Sequence, residues 1–476
     1  MKDIDKNDDE NGGYDLIVVG AGSAGFSAAI TAADAGKRVA LVGHGTIGGT
    51  CVNVGCVPSK AMIRAAEAIH GAHAAKRFPG LSGYAQVDDW QRLIRSKDDL
   101  VATLRQKKYA DLLPEYAGVD YIDAGPAQLV EGGITVGGRT LTAPKLIITT
   151  GSRPVLPTID GIEDVDALDS TSLLELETLP DSLIFIGAGY IGAELAQMMS
   201  RMGVKVTLVA RSHLLPGAEP EVSEALAEAF TSEGITLLTG LSYDSVRRNA
   251  AGVTLRIIQD GEPVEVTADR LVSTAGRRAN TDGMGLSEIG VETDARGSIV
   301  IGDDMQTTVP GIYAAGDVTD RDQFVYMAAY GAKLAVKNAV LGEAHRYDNS
   351  VMPWVVFSDP QVAGVGLSEQ QARDAGFDVK TSIVPLDQVP RALAARDTRG
   401  LIKLVADKQT DRLLGGQIIA PEGSDTIQTL VMALKFGMTT KALGETIFPY
   451  LTTVEGLKLA AQTFDMDVAK LSCCAG

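Results

Sequence analysis

The sequence predicts an α/β protein built from two dinucleotide-binding modules of one design, followed by a smaller α+β domain. Three observations lead there. A pattern of buried strand, glycine turn and helix opens near residue 14 and recurs near residue 182. At 476 residues the chain is too long for one ordinary core. From about Ser350 the texture changes to alternating stretches such as Trp354-Val-Val-Phe and Gly400-Leu-Ile-Lys-Leu-Val, with helical patterns over Thr426 to Phe436 and Glu455 to Phe464.

In the first module Tyr14-Asp-Leu-Ile-Val-Val-Gly20 reads as a strand buried on both faces. It runs into Gly20-Ala-Gly22-Ser23-Ala-Gly25, an Ala-rich helix from Phe26 to Ala35, and a second strand over Arg38 to Val42. The same order returns at Ser182-Leu-Ile-Phe-Ile-Gly187-Ala-Gly189-Tyr190-Ile-Gly192, with a helix over Ala193 to Met202 and a strand over Lys205 to Val209. Glycines at this spacing let the backbone turn tightly, approach a pyrophosphate and pack helix on strand, while the helix start offers amide donors. Further apolar runs end in glycine at Gly151, Gly276 and Gly316-Asp317. The expected organisation is a tail over 1–13, a first module in two parts (14–155 and 284–349), a second module over 156–283 and a last domain over 350–476.

A net charge of −18, from 43 basic and 61 acidic residues, argues against nucleic acid or an anionic membrane as partner. No apolar run reaches the roughly 18 residues of a bilayer span, and a cytoplasmic location is expected. All four cysteines fall in two close pairs, Cys51 with Cys56 and Cys473 with Cys474. In a reducing compartment such pairs suit two-electron thiol chemistry or the grip of a soft metal ion.

Two such modules, Gly49-Thr50-Cys51-x4-Cys56-x3-Lys60 within the first, and the α+β C-terminus together resemble the flavin disulfide oxidoreductase family of glutathione reductase and dihydrolipoamide dehydrogenase. The resemblance spans the chain from about Tyr14 to its end and implies FAD in the first Rossmann-like domain and NADPH in the second. It also implies a homodimer in which the C-terminal dimerisation domain of one subunit completes the active site of the other. By that likeness Cys56 is the thiolate against the flavin and Cys51 the exchange thiol. Lys60 would place a cation near the flavin, with Glu194 as its ion-pair partner. Tyr190 is expected as an aromatic gate over the nicotinamide, and Asp317 as a hydrogen-bond partner of the FAD ribityl chain.

The stretch Tyr450-Leu-Thr-Thr-Val-Glu455 carries Tyr where disulfide reductases of the family carry a His before that Glu. A phenol with a pKa near 10 is a poor proton shuttle beside an imidazole near 6.5. A metal substrate needs no such relay, because thiolates pass an ion by ligand exchange. This stretch, Leu386-Asp-Gln-Val-Pro-Arg-Ala and the terminal Leu471-Ser-Cys473-Cys474-Ala-Gly476 resemble the branch of the family that reduces Hg(II). That likeness implies capture of Hg(II), arriving as small thiol complexes, by Cys473 and Cys474, and transfer between subunits to Cys51 and Cys56, with Tyr190 and Tyr450 near the ion. Many members of that branch carry an N-terminal metal-binding domain with its own cysteine pair; none is seen in this sequence, so delivery is expected to start at the C-terminal pair. The alternatives are a reductase of another soft metal ion or of a disulfide, and a non-catalytic metal-binding or redox-sensing flavoprotein.

Cofactor choice is written at the end of each module's second strand. Val209-Ala-Arg211 has no acid and one Arg, which suits a 2′-phosphate and so NADPH. In the first module Gly43 stands where an acid would hold the FAD adenosine ribose. FAD is still expected to bind there, through its pyrophosphate and Asp317, less tightly.

Overall fold

The computed structural model describes residues 13–319 and 321–466. In chain order β1 (Leu16–Val19), α1 (Ser23–Asp34), β2 (Val39–Gly43), α2 (Gly49–Asn53), α3 (Cys56–Ala74), β3 (Val119–Asp123) and β4 (Leu146–Ile148) come first. Then follow β5 (Ser182–Ile186), α4 (Tyr190–Arg201), β6 (Lys205–Val209), β7 (Thr236–Leu238), β8 (Arg270–Ser273) and β9 (Ile312–Ala314). The last stretch holds β10 (Trp354–Val356), β11 (Gln361–Gly366), β12 (Val379–Pro385), β13 (Leu401–Asp407), β14 (Leu413–Ala420), α5 (Gly423–Lys435) and α6 (Glu455–Gln462). The chain divides into two compact units.

The first unit comprises the segments ending at Ser59, Arg92–Val155 and Gly276–Tyr347. Its centre is a parallel sheet in the order β9-β4-β1-β2-β3. Every residue of β1 and β2 is buried, as a parallel strand covered on both faces requires. Leu16, Val18, Val39 and Leu41 point into a core shared with Ala24, Ala28 and Ala32 of α1, whose small side chains let the helix lie close to the sheet. The alternate set, Ile17, Val19, Ala40 and Val42, fills the core on the other face.

The second unit takes Lys60–Gln91, Leu156–Ala275 and the chain from Asp348 onward. It holds a four-stranded parallel sheet, β7-β6-β5-β8, which repeats the βαβ order of the first. It also holds an antiparallel sheet, β10-β11-β14-β13-β12, packed with α5 and α6 around Leu404, Ile418, Leu430 and Leu457. Both module helices start earlier than the periodicity predicts, at Ser23 and Tyr190 rather than Phe26 and Ala193. The reason is the same in each. Gly25 and Gly192 sit inside the first turn because any Cβ there would strike the carbonyl oxygen of Gly20 or Gly187. Among the described residues no helix is long and apolar enough to cross a membrane.

Candidate active site

The two glycine loops are built alike down to a threonine. Gly20 and Gly187 take positive φ, +119° and +103°, which a side chain would resist. Thr149 Oγ1 donates to the carbonyls of Val19 and Gly20, both at 3.0 Å, and Thr274 Oγ1 donates to those of Ile186 and Gly187, at 3.0 and 2.8 Å. Neither α1 nor α4 has a side-chain cap, so Gly22 and Gly189 leave first-turn amides to another acceptor. A Cβ at Gly189 would meet nothing within 4 Å. Uncapped helix starts behind glycine turns fit the pyrophosphate of a dinucleotide in both modules.

The cysteine pair Cys51 and Cys56 follows directly. Gly48 and Gly49 both take positive φ, and a Cβ at Gly49 would lie 2.6 Å from Gly22 Cα, so the turn bearing Thr50 and Cys51 packs on the first glycine loop. Cys51 lies half-buried in α2, and Cys56, exposed, is the first residue of α3; both are thiols. Asn53 fastens the turn, donating to the carbonyls of Ile47 and Gly49, each at 2.9 Å, and accepting from Arg105 at 3.1 Å.

Tyr109 is a residue sequence reasoning missed. It lies in a π-helical turn, Gln106–Ala110, which re-aims side chains within a helix. Its hydroxyl pairs with Ser23 Oγ at 3.3 Å and its ring meets Phe26 edge-on at 4.9 Å. Burial raises its pKa, and the neighbouring charges of Cys51 and Cys56 push the same way. A phenol so placed stays protonated and stands within the field of the cysteine pair. The π-turn itself is invisible in sequence, and a Tyr after two lysines gives no other signal. Ser23, within the first glycine loop, is thus a partner of Tyr109.

In the same unit Asp317 opens a short 3₁₀ turn and accepts from Ser152 Oγ at 2.8 Å. Ser152 Oγ in turn accepts from Arg277 Nε at 2.8 Å. Gly151 and Gly276 flank this relay at positive φ.

In the second unit Lys60 Nζ meets Glu194 Oε2 at 2.6 Å, and Glu194 is nearly buried. The other carboxylate oxygen of Glu194 accepts from Phe357 N at 2.9 Å, and the ammonium stands 4.9 Å from the centre of the Phe357 ring. One acid thereby fixes both the lysine and the strand exit after β10. Tyr190, first in α4, stacks on Trp354 with centroids 5.5 Å apart and planes 20° apart. Burial pushes its pKa up to about 12, so it is neutral. The indole fits because residue 364, its partner across β10 and β11, is glycine, and a Cβ there would run into the ring. Arg211 is exposed at the end of β6, beside Tyr243.

Tyr450 is exposed on the segment before α6. Glu455, buried at the start of α6, accepts from Leu451 N at 3.1 Å and so holds the turn that carries Tyr450. Cys473 and Cys474 lie outside the described residues.

Residues 14–335 match the family described as pyridine nucleotide-disulphide oxidoreductase, and residues 352–461 match that family's dimerisation domain. The chain belongs to this family. Among curated relatives, the mercuric reductase of Staphylococcus aureus is 45% identical over 99% of this chain and 86% of its own length. That of Streptomyces lividans is 45% identical over 98% of this chain and 99% of its own. Among solved structures, a Cu(II) complex of the HOCl-induced flavoprotein disulfide reductase RclA from Escherichia coli has a TM-score of 0.82 at 30% identity, covering 93% of this chain and 98% of that one. Family members of this kind use FAD and NADPH, and the two glycine cradles fit one dinucleotide each.

Proposed function

We propose that the chain reduces Hg(II) to Hg(0) at the expense of NADPH, with FAD in the first module. The observation that carries this reading is the thiol pair Cys51 and Cys56, placed on the first glycine loop in a chain so similar to mercuric reductases. Bound FAD supplies the two-electron relay between NADPH and the thiol pair. In balance, one NADPH gives up a hydride, one Hg(II) takes the electron pair, and NADP⁺ and a proton are released.

The residues divide the work. Hg(II) prefers sulfur and is held by two thiolates, so Cys51 and Cys56 are its ligands at the point of reduction. Lys60, held by Glu194, supplies a fixed positive charge one helical turn after Cys56. Tyr109 donates a hydrogen bond toward the pair, and Tyr190 screens the nicotinamide position at the mouth of the second loop. Arg211 takes the 2′-phosphate of NADPH. Tyr450, held out by Glu455, and the tail pair Cys473 and Cys474 receive Hg(II) from small thiol complexes and pass it to Cys51 and Cys56 of the partner subunit in a homodimer. A cytoplasmic setting suits thiols that must stay reduced.

The test is NADPH oxidation by purified protein with excess small thiol, before and after Hg(II), with mercury vapour measured. Hg(II)-dependent oxidation, abolished by Cys51→Ser or Cys56→Ser and impaired in Cys473→Ala/Cys474→Ala, is the expected result. The likeness to a flavoprotein disulfide reductase solved as a Cu(II) complex favours a second reading, in which another soft ion or a disulfide is the substrate. Oxidation driven by Cu(II) or an organic disulfide while Hg(II) only inhibits would select it.

A further inference from the structure

A dinucleotide module ordinarily ends its second strand with an acid that accepts hydrogen bonds from the adenosine ribose. Here β2 ends in Gly43, and the space an acid would use is already taken. A Cβ on Gly43 would lie 2.5 Å from Tyr121 Oη and 3.0 Å from Ala21 Cβ, within the first glycine loop. Tyr121 comes from the adjacent strand β3, which pairs in parallel with β2 and sets Asp123 opposite Gly43. Asp123 is exposed at the strand end, and Tyr121 is half-buried. Among the described residues the Tyr121 hydroxyl has no hydrogen-bond partner. Tyr121 and Asp123 stand two apart on β3 and so share one face of the strand; burial, and then the charge of Asp123, raises the pKa of the phenol.

We infer that β3 replaces β2 as the ribose-binding strand of the first module: Tyr121 and Asp123 receive the adenosine ribose hydroxyls of FAD in place of the acid absent at residue 43. The inference rests on the reading of that module as the FAD site. A ribose diol offers two O–H donors; a carboxylate accepts such donors, and a phenol oxygen can accept one while donating its own proton. Gly43 is then required by Tyr121, because an acidic side chain and the phenol cannot occupy the same place.

The experiment measures FAD binding to flavin-stripped protein by quenching of flavin fluorescence, and NADP⁺ binding by calorimetry as an internal reference. Asp123→Asn keeps the shape at an exposed site, and Tyr121→Phe keeps the ring. Each is expected to weaken FAD by about 10-fold or more, the scale of a lost hydrogen bond to a charged or half-buried group, with NADP⁺ affinity unchanged. Gly43→Glu is expected to weaken FAD by colliding with Tyr121, and the added change Tyr121→Ala to recover it. FAD affinities within twofold of wild type in both single variants, or tighter FAD binding by Gly43→Glu alone, would overturn the inference. Wild-type protein that takes up no FAD would sink the functional reading itself and the inference with it. Normal uptake with indifferent variants sinks the inference alone.

Discussion

At the scale of single residues, the site is organised by groups that serve two partners at once. Glu194 is the plainest case, bonded to Lys60 Nζ and to Phe357 N. Glu194→Gln keeps an acceptor for the amide but loses the charge and turns an NH2 donor toward the Lys60 ammonium, whereas Glu194→Ala strands both donors. Thermal unfolding should therefore show the Ala variant less stable than wild type by about 3 kcal/mol and the Gln variant by roughly half that. NADPH-dependent turnover should fall in both. Tyr109→Phe removes the 3.3 Å contact with Ser23 and retains the ring against Phe26. Stability should change by under about 1 kcal/mol while turnover drops several-fold, which steady-state rates beside a melting curve would check. The cysteine pair, Lys60 and both glycine loops were legible in the sequence because their chemistry depends on spacing along one segment. Tyr109, Trp354 and Tyr121 were not, because each acts on a residue remote in the chain through a contact that only the fold creates.

At the scale of elements, α4 is bolted along one face to the segment after β10. Positions 190, 194, 197 and 201 recur at helical spacing, and all four meet residues 354–359. Tyr190 stacks on Trp354, Glu194 takes the Phe357 amide, and Gln197 accepts from Asp359 N at 2.8 Å and donates to Asp359 O at 2.8 Å. Arg201 pairs with Asp359 at 2.9 Å and with Glu233 at 2.6 Å. The pattern alone reads as an ordinary amphipathic helix, so the sequence predicts the helix and conceals its partner. Gly364→Ala tests the far end of this seam: the added methyl must displace the indole on which Tyr190 stacks. A stability loss of about 1–3 kcal/mol is expected, together with an altered KM for NADPH and little change in the Hg(II) dependence. An unaltered KM in that variant would mean that the Tyr190 and Trp354 stack has no bearing on the nucleotide.

For the molecule as a whole, buried charge sets a pH profile. Burial, and then the nearby Arg201, lower the pKa of His70 below its ordinary value, so its approach to Glu233 is not an ion pair at neutral pH. The unfolded chain takes up a proton there that the folded chain refuses, so this contribution is complete above about pH 6.5 and shrinks as pH falls toward the folded value. Asp397 behaves differently in origin. Burial alone would raise its pKa, but Arg399 and Arg77 outweigh that and hold it at about 2. Its contribution, about 1–2 kcal/mol once solvent screening is allowed for, is present above about pH 4 and is lost between there and about pH 2. Denaturant melts at pH 8, 6, 4 and 2.5 should show a first weakening below neutrality and a second in acid. Asp397→Asn should lessen the second and spare the first.

The paired threonines give the molecule its own control. Thr149 and Thr274 make the same two bonds to the same kind of turn, one in each module. Thr149→Val and Thr274→Val are therefore one chemical change carried out at two addresses within a single chain. The first should loosen the flavin and leave the KM for NADPH alone, and the second should do the reverse. Any effect common to both measures the general cost of softening a glycine loop, and the remainder belongs to the ligand that each loop holds.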